Sequence, residues 1–177
     1  TAKMTRRLSA LEIAAAQATL EKLKARRGSM RFVMEIGGTI HPFVVEVGAS
    51  EFRERGVRPE RYDLFEELLC AAGLGVAPRL SPIGIWDVSF WDHALWSDAD
   101  AEAELDRIEE ILFGDSQPSD VGSRVWVNRK CDILSMWCHI HYGNDCFVTS
   151  DGNYHKATKM PRLVELGARR IVRPEEL

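Results

Sequence analysis

Cys131-Asp132-Ile133-Leu134-Ser135-Met136-Trp137-Cys138, followed by Cys146-Phe147-Val148-Thr149-Ser150-Asp151-Gly152, is the stretch that decides the fold. From about Arg124 to Tyr142 the apolar residues Val127, Leu134, Met136, Trp137 and Ile140 suit a largely buried helix, which Gly143 terminates. Residues 146–149 read as a short strand, and Asp151-Gly152 turns away from it. One acid therefore sits early in a buried helix and another at the C-terminal end of the strand that follows. In open α/β sheets ligands bind outside the carboxyl ends of strands, so both carboxylates are expected on one rim. Paired there, Asp132 and Asp151 are hard oxygen ligands suited to Mg²⁺ or Mn²⁺. Taken singly, each has a plainer role, as a helix-dipole partner or a turn residue. The pair, in this element order, is the signal.

Downstream, Pro161 to Leu166 reads as a short helix capped by Gly167, and Arg169 to Arg173 as a last strand ended by Pro174. Upstream, Asp98 caps an acidic helix running through Phe113 to Gly114, and residues 115–123 read as a loop. Residues 74–97, with Pro78, Pro82, Gly84 and three tryptophans, are the least regular. Pro59-Glu60 opens a helix ending near Gly73. Thr39 offers an N-cap for a helix to about Arg55, with Gly48 weakening it by about 1 kcal/mol relative to Ala. Met30 to Ile36 reads as a buried strand, and a Ser9-x-x-Glu12 capping box opens a first helix that Gly28 stops. Strands alternating with helices predict an α/β fold with a parallel or mostly parallel sheet.

The 177 residues are 45% apolar and 28% charged, which fits one globular domain over 1–177 with enough chain to bury a core. A net charge of -4 argues against a non-specific nucleic-acid coat protein, though a basic patch can sit on an acidic domain. The four cysteines form no C-x-x-C pair, so reduced thiols in a cytoplasmic compartment are expected. No apolar run reaches the roughly 18 residues of a spanning helix, so no membrane partner is expected.

The segments Cys131 to Leu134 and Phe147-Val148-Thr149-Ser150-Asp151-Gly152-Asn153-Tyr154 resemble the closing part of PIN-domain nucleases. Leu163 to Pro174 resembles that family's last helix and strand; over residues 8–120 the likeness is one of element order alone. The resemblance implies a three-layer α/β/α sandwich, a cluster of acids binding Mg²⁺ or Mn²⁺, and hydrolysis of RNA. It assigns Asp132 and Asp151 as metal-binding and catalytic carboxylates, with Asn153 as a neutral neighbour of the metal. Glu46, seven residues after Thr39, is the choice for the family's other helical acid, with Glu51 as the fallback. The sequence departs from the pattern at the first strand, where the family carries an Asp. Either that strand lies upstream of Thr1, or the 30–36 strand replaces it and Glu35 stands in its position. A degraded, inactive site serving as a binding or scaffold module is the alternative reading; a different α/β phosphohydrolase is a more distant one.

Arg124, Arg129 and Lys130 flank Asp132, and Lys156, Lys159 and Arg162 flank Asp151, as phosphate-backbone contacts would. His155 is a weaker candidate for such a contact. Cys131, Cys138, His139, His141 and Cys146 lack standard zinc spacings, so buried thiols packing as small apolar groups are the better reading. Trp86, Trp91 and Trp96 are expected in a core or an oligomer interface more than stacked on bases. RNA is the expected partner. A homodimer and an antitoxin-type protein stand open, with no residue specifying either.

Overall fold

The computed structural model describes residues 32–36, 40–114 and 120–176. The expected helix from Ser9 to Gly28 lies outside these residues, as does most of the expected loop after Gly114. The described chain is mixed α/β. Five strands form one sheet: β1 (Phe32–Ile36), β2 (Ile40–Val45), β3 (Arg79–Leu80), β4 (Cys146–Val148) and β5 (Ile171–Val172). Their order across the sheet is β3-β2-β1-β4-β5.

Strand directions follow from the pairings. β1 runs antiparallel to both neighbours, β2 and β4, while β2–β3 and β4–β5 are parallel pairs. Four strands therefore point one way, and the central strand points the other. The expectation of a mostly parallel sheet holds for those four and fails at β1. The reason lies in residues 40–45. The helix expected from Thr39 is instead β2, which pairs with β1 in a hairpin register from Ile36↔Ile40 to Phe32↔Val44. Gly37-Gly38 between two apolar runs is a hairpin signal, and Val44 and Val45 are β-branched. Pro42 is tolerated because β3 pairs only with Val44 and Val45, leaving position 42 on a stretch of β2 without a β3 neighbour. Only a short helix, α1 (Gly48–Glu51), survives from the expected one.

The remaining helices are α2 (Asp63–Ala71), α3 (Ala99–Phe113), α4 (Arg124–His141) and α5 (Met160–Leu166). Their ends follow local chemistry. The Asp98 side chain accepts from the Ala101 amide at 2.9 Å, and Ser123 Oγ accepts from the Trp126 amide at 3.2 Å. At the end of α4, Gly143 adopts φ +62° while the Asn144 amide reaches back to the His139 carbonyl at 3.1 Å, a Schellman closure. None of the described helices is long and apolar enough to cross a membrane.

Alternate strand residues feed two apolar clusters. Val45, Phe147 and Ile171 pack with Ile108, Leu112, Leu134, Met136 and Trp137 from α3 and α4. Val44, Cys146, Val148 and Val172 pack with Phe65 and Leu69 from α2. The period of two along β2, β4 and β5 thus covers one sheet face with α3 and α4 and the other with α2. Cys131 and Cys138 are buried in the first cluster and Cys146 in the second, as small core groups.

Candidate functional site

Because β2, β4 and β5 share a direction, the chain leaves all three at one rim. A cleft of about 1060 Å³ opens there. Ser50, Glu51, Arg53 and Glu54 reach it after β2, Ser150 and Asp151 after β4, and Arg173 and Glu175 after β5. The N-terminal half of α4 closes the wall with Arg124, Val127, Asn128 and Asp132. Asp132 and Asp151 therefore line the same cleft.

Asp132 stands in the third turn of α4 and is 9% exposed. A helix dipole acts mainly within the first turn, so this carboxylate is not explained as a dipole partner. Its main-chain carbonyl accepts from the hydroxyl of the fully buried Tyr154 at 2.9 Å. Asp151 sits in a loop braced from both sides. Its amide donates to Thr149 Oγ1 at 3.1 Å, and its Oδ1 accepts from the Asn153 amide at 2.8 Å. His155 closes the same loop on the Thr149 carbonyl at 2.9 Å. This local bond, not a cleft position, is what the structure gives His155.

Glu46 does not line the cleft. It is buried at the end of β2, where it meets His93 Nδ1 at 3.1 Å, Ser81 Oγ at 3.1 Å and the Tyr62 hydroxyl at 3.5 Å. The Tyr62 ring stacks on His93 with centroids 3.8 Å apart. Burial and the negative charge of Glu46 together push the Tyr62 phenol up from its ordinary pKa. The fallback acid, Glu51, is the one on the cleft wall. Glu35 is carried elsewhere by the reversed β1. Phe32 pairs with Val148 and Met34 with Cys146, so the chain climbs β1 away from Asp151. Position 35 lies about 10 Å along the sheet from the level of Val148.

Among the expected phosphate contacts, Arg124 lines the cleft and pairs with Glu54 at 3.0 Å, both side chains largely exposed. Such a pair contributes little and exchanges readily with another anion. The other five are not on the cleft wall, and Arg162 pairs with Glu110 of α3 at 2.8 Å. Lys130 joins Glu109 of α3 at 2.5 Å, and Arg129 lies over the Phe113 ring at 4.3 Å. Lys159 donates to Asn153 Oδ1 at 2.7 Å and to the Leu112 carbonyl, which the Asn153 amide group also reaches at 3.2 Å. Lys159 and Asn153 thus cap the C-terminal end of α3, where a cation is favoured. Burial lowers the Lys159 pKa, and the nearby Lys156 adds to this. Lys156 itself is exposed.

Two cleft arginines were not anticipated. Arg53 bonds the Val88 carbonyl at 2.9 Å, and Arg173 follows β5. No spacing rule links positions 53, 124 and 173; sheet order alone brings them together. Among the described residues, five acids and three arginines line the cleft, an acidic excess. Among the described residues, no group of three or more His, Cys, Asp or Glu side chains is arranged to hold a metal ion. Comparison with protein-family models, with curated proteins and with solved structures found no match to this chain.

Proposed function

We propose that this chain is a PIN-like α/β/α protein that cleaves RNA phosphodiester bonds with a divalent cation at the cleft. The observation that carries the reading is that Asp132 and Asp151 line one cleft, from α4 and from the loop after β4. The donor chemistry fits Mg²⁺ or Mn²⁺, since both residues offer hard carboxylate oxygens. Mg²⁺ commonly uses only one or two protein carboxylates and completes its shell with water and phosphate oxygens. A two-carboxylate site therefore suffices, with Glu51, which lines the same cleft, as the candidate for a third. When bound, the ion supplies an activated water and charge neutralisation at phosphorus.

The chain's own residues have separable tasks. Asp132 and Asp151 set the position of the cation, each held by its backbone bonds. Arg53, Arg124 and Arg173 offer guanidinium forks for the non-bridging phosphate oxygens. An acidic excess in the cleft repels a polyanion, so RNA binding there should depend on the cation.

A second reading, a binding or scaffold module on the same fold, is favoured by the absence of a three-acid cluster among the described residues. Titrating Mn²⁺ while following a labelled single-stranded RNA separates the two. Cleavage abolished by Asp132→Asn and by Asp151→Asn supports the nuclease. Cleavage that survives both substitutions refutes the site, and RNA binding without cleavage selects the module.

A further inference from the structure

The loop from Ser81 to Ser97 carries Trp86, Trp91 and Trp96 on the surface, 72%, 48% and 90% exposed. The three rings form a continuous strip. Centroids of Trp86 and Trp91 are 5.3 Å apart, and those of Trp91 and Trp96 5.9 Å. Of the two settings expected for them, a core or an oligomer interface, this exposure leaves the interface.

The strip is built on a fixed base. The Gly84 amide bonds the Leu95 carbonyl and the Leu95 amide the Pro82 carbonyl, both at 2.8 Å, closing the loop on itself. Ser89 Oγ bridges inside it, accepting from the Ile85 amide and donating to the Ile83 carbonyl, both at 3.0 Å. Glu46 holds His93 from beneath, and Ser50 and Arg53 hold the Val88 carbonyl. Gly84 lies against Trp91, and a Cβ there would meet the ring at 2.9 Å. Rings so supported lose little freedom on binding.

Charge then selects the partner. From Leu80 to Asp106 the chain contains seven Asp and Glu residues and no Lys or Arg. Asp87 and Asp92, chain neighbours of Trp86 and Trp91, are exposed, as are Asp98 and Asp100 just beyond Trp96 in sequence. A phosphate backbone meets repulsion there, whereas indole faces bordered by carboxylates attract cations by cation–π and Coulomb terms together. Trp and Arg are also among the residues enriched at the energetic centres of protein interfaces.

We propose that this strip is a docking site for an arginine-bearing segment of another protein, with guanidinium groups stacked on the indoles and paired with the flanking aspartates. The base of the strip shares Ser50 and Arg53 with the wall of the acidic cleft, and the docking does not depend on activity there. The test uses the full chain with fluorescein-labelled nona-arginine, nona-lysine and oligouridine, read by anisotropy and by indole fluorescence. Saturable nona-arginine binding, tighter than nona-lysine, is expected, weakened about tenfold by Trp96→Ala and by Asp92→Asn. Both altered side chains are exposed, and a thermal melt confirms that each variant folds. Nona-arginine binding unchanged by Trp96→Ala, binding of oligouridine at the same indoles, or no binding at all would overturn the proposal.

Discussion

Tyr154 donates its hydroxyl to the main-chain carbonyl of Asp132 at 2.9 Å, tying the loop that carries one cleft acid to the helix that carries the other. The Tyr154 ring is fully buried and sits 5.1 Å from Phe147 of β4. The two carboxylates thus reach their wall through a strand, a loop and a helix joined at one bond.

Tyr154→Phe removes that bond and leaves the ring. A loss of about 0.5–1.5 kcal/mol is expected from urea unfolding. If the cleft acts on RNA, Mn²⁺-dependent turnover should fall more than stability, because the spacing of the acids loosens. An unchanged urea midpoint would mean the hydroxyl is not holding the loop.

Glu51 and Glu46 should part company. Glu51→Gln is expected to lower Mn²⁺-dependent cleavage about tenfold with little change in thermal midpoint. Glu46→Gln should destabilise by about 1–3 kcal/mol, since it weakens contacts with His93, Ser81 and Tyr62, and should leave cleavage within a few-fold. The reverse pattern in paired melts and rate measurements would return the third-acid role to Glu46.

Arg124 and Lys159 make a second contrast. Arg124→Ala should raise the apparent Kd for RNA and leave folding intact, because its pair with Glu54 is exposed. Lys159→Met should instead cost about 1 kcal/mol of stability, through the Leu112 and Asn153 bonds, and leave RNA affinity unchanged. Equilibrium binding alongside chemical denaturation checks both; weakened RNA binding by Lys159→Met would place that lysine on the substrate.

His139 gives the fold an acid-side weakness. It is fully buried, and burial, with Arg169 adding to it, lowers its pKa from 6.5 to about 4. The unfolded chain therefore binds a proton below pH 6.5 that the folded chain refuses until about pH 4. Stability is complete above pH 6.5 and falls as pH drops through that window, by at most about 1.4 kcal/mol per pH unit. His139→Gln should flatten the slope between pH 6.5 and 5, measured by urea midpoints. An identical slope in the variant would assign the effect to other groups.

What the sequence made legible was what local chemistry determines. The ends of α3 and α4 were readable because Asp98, Gly114 and Gly143 carry cap and stop signals within a turn of the boundary. The convergence of Asp132 and Asp151 was readable because a helix, a strand and a turn follow in direct succession. β2 was misread because Thr39 mimics an N-cap, while the hairpin partner that decides residues 40–45 lies across a glycine pair. Arg53 and Arg173 were invisible for a stronger reason, since only the lateral order of strands makes them neighbours. Lys159 and Asn153 misled in the opposite sense. They sit close to Asp151 in sequence, yet their side chains turn to the end of α3.

The reversed β1 has a consequence for how the chain can be divided. Its β2 partner lies a few residues away, but its β4 partner arrives more than a hundred positions later, Met34 meeting Cys146. A chain ended after Gly114 would keep the hairpin and expose the β1 edge as a row of unmatched amides and carbonyls, a template for any passing strand. That half should self-associate when made alone and should become tractable when co-expressed with residues 120–177. The protein is in this sense a natural candidate for a two-piece complementation reporter, with strands β4 and β5 on the piece that completes the sheet.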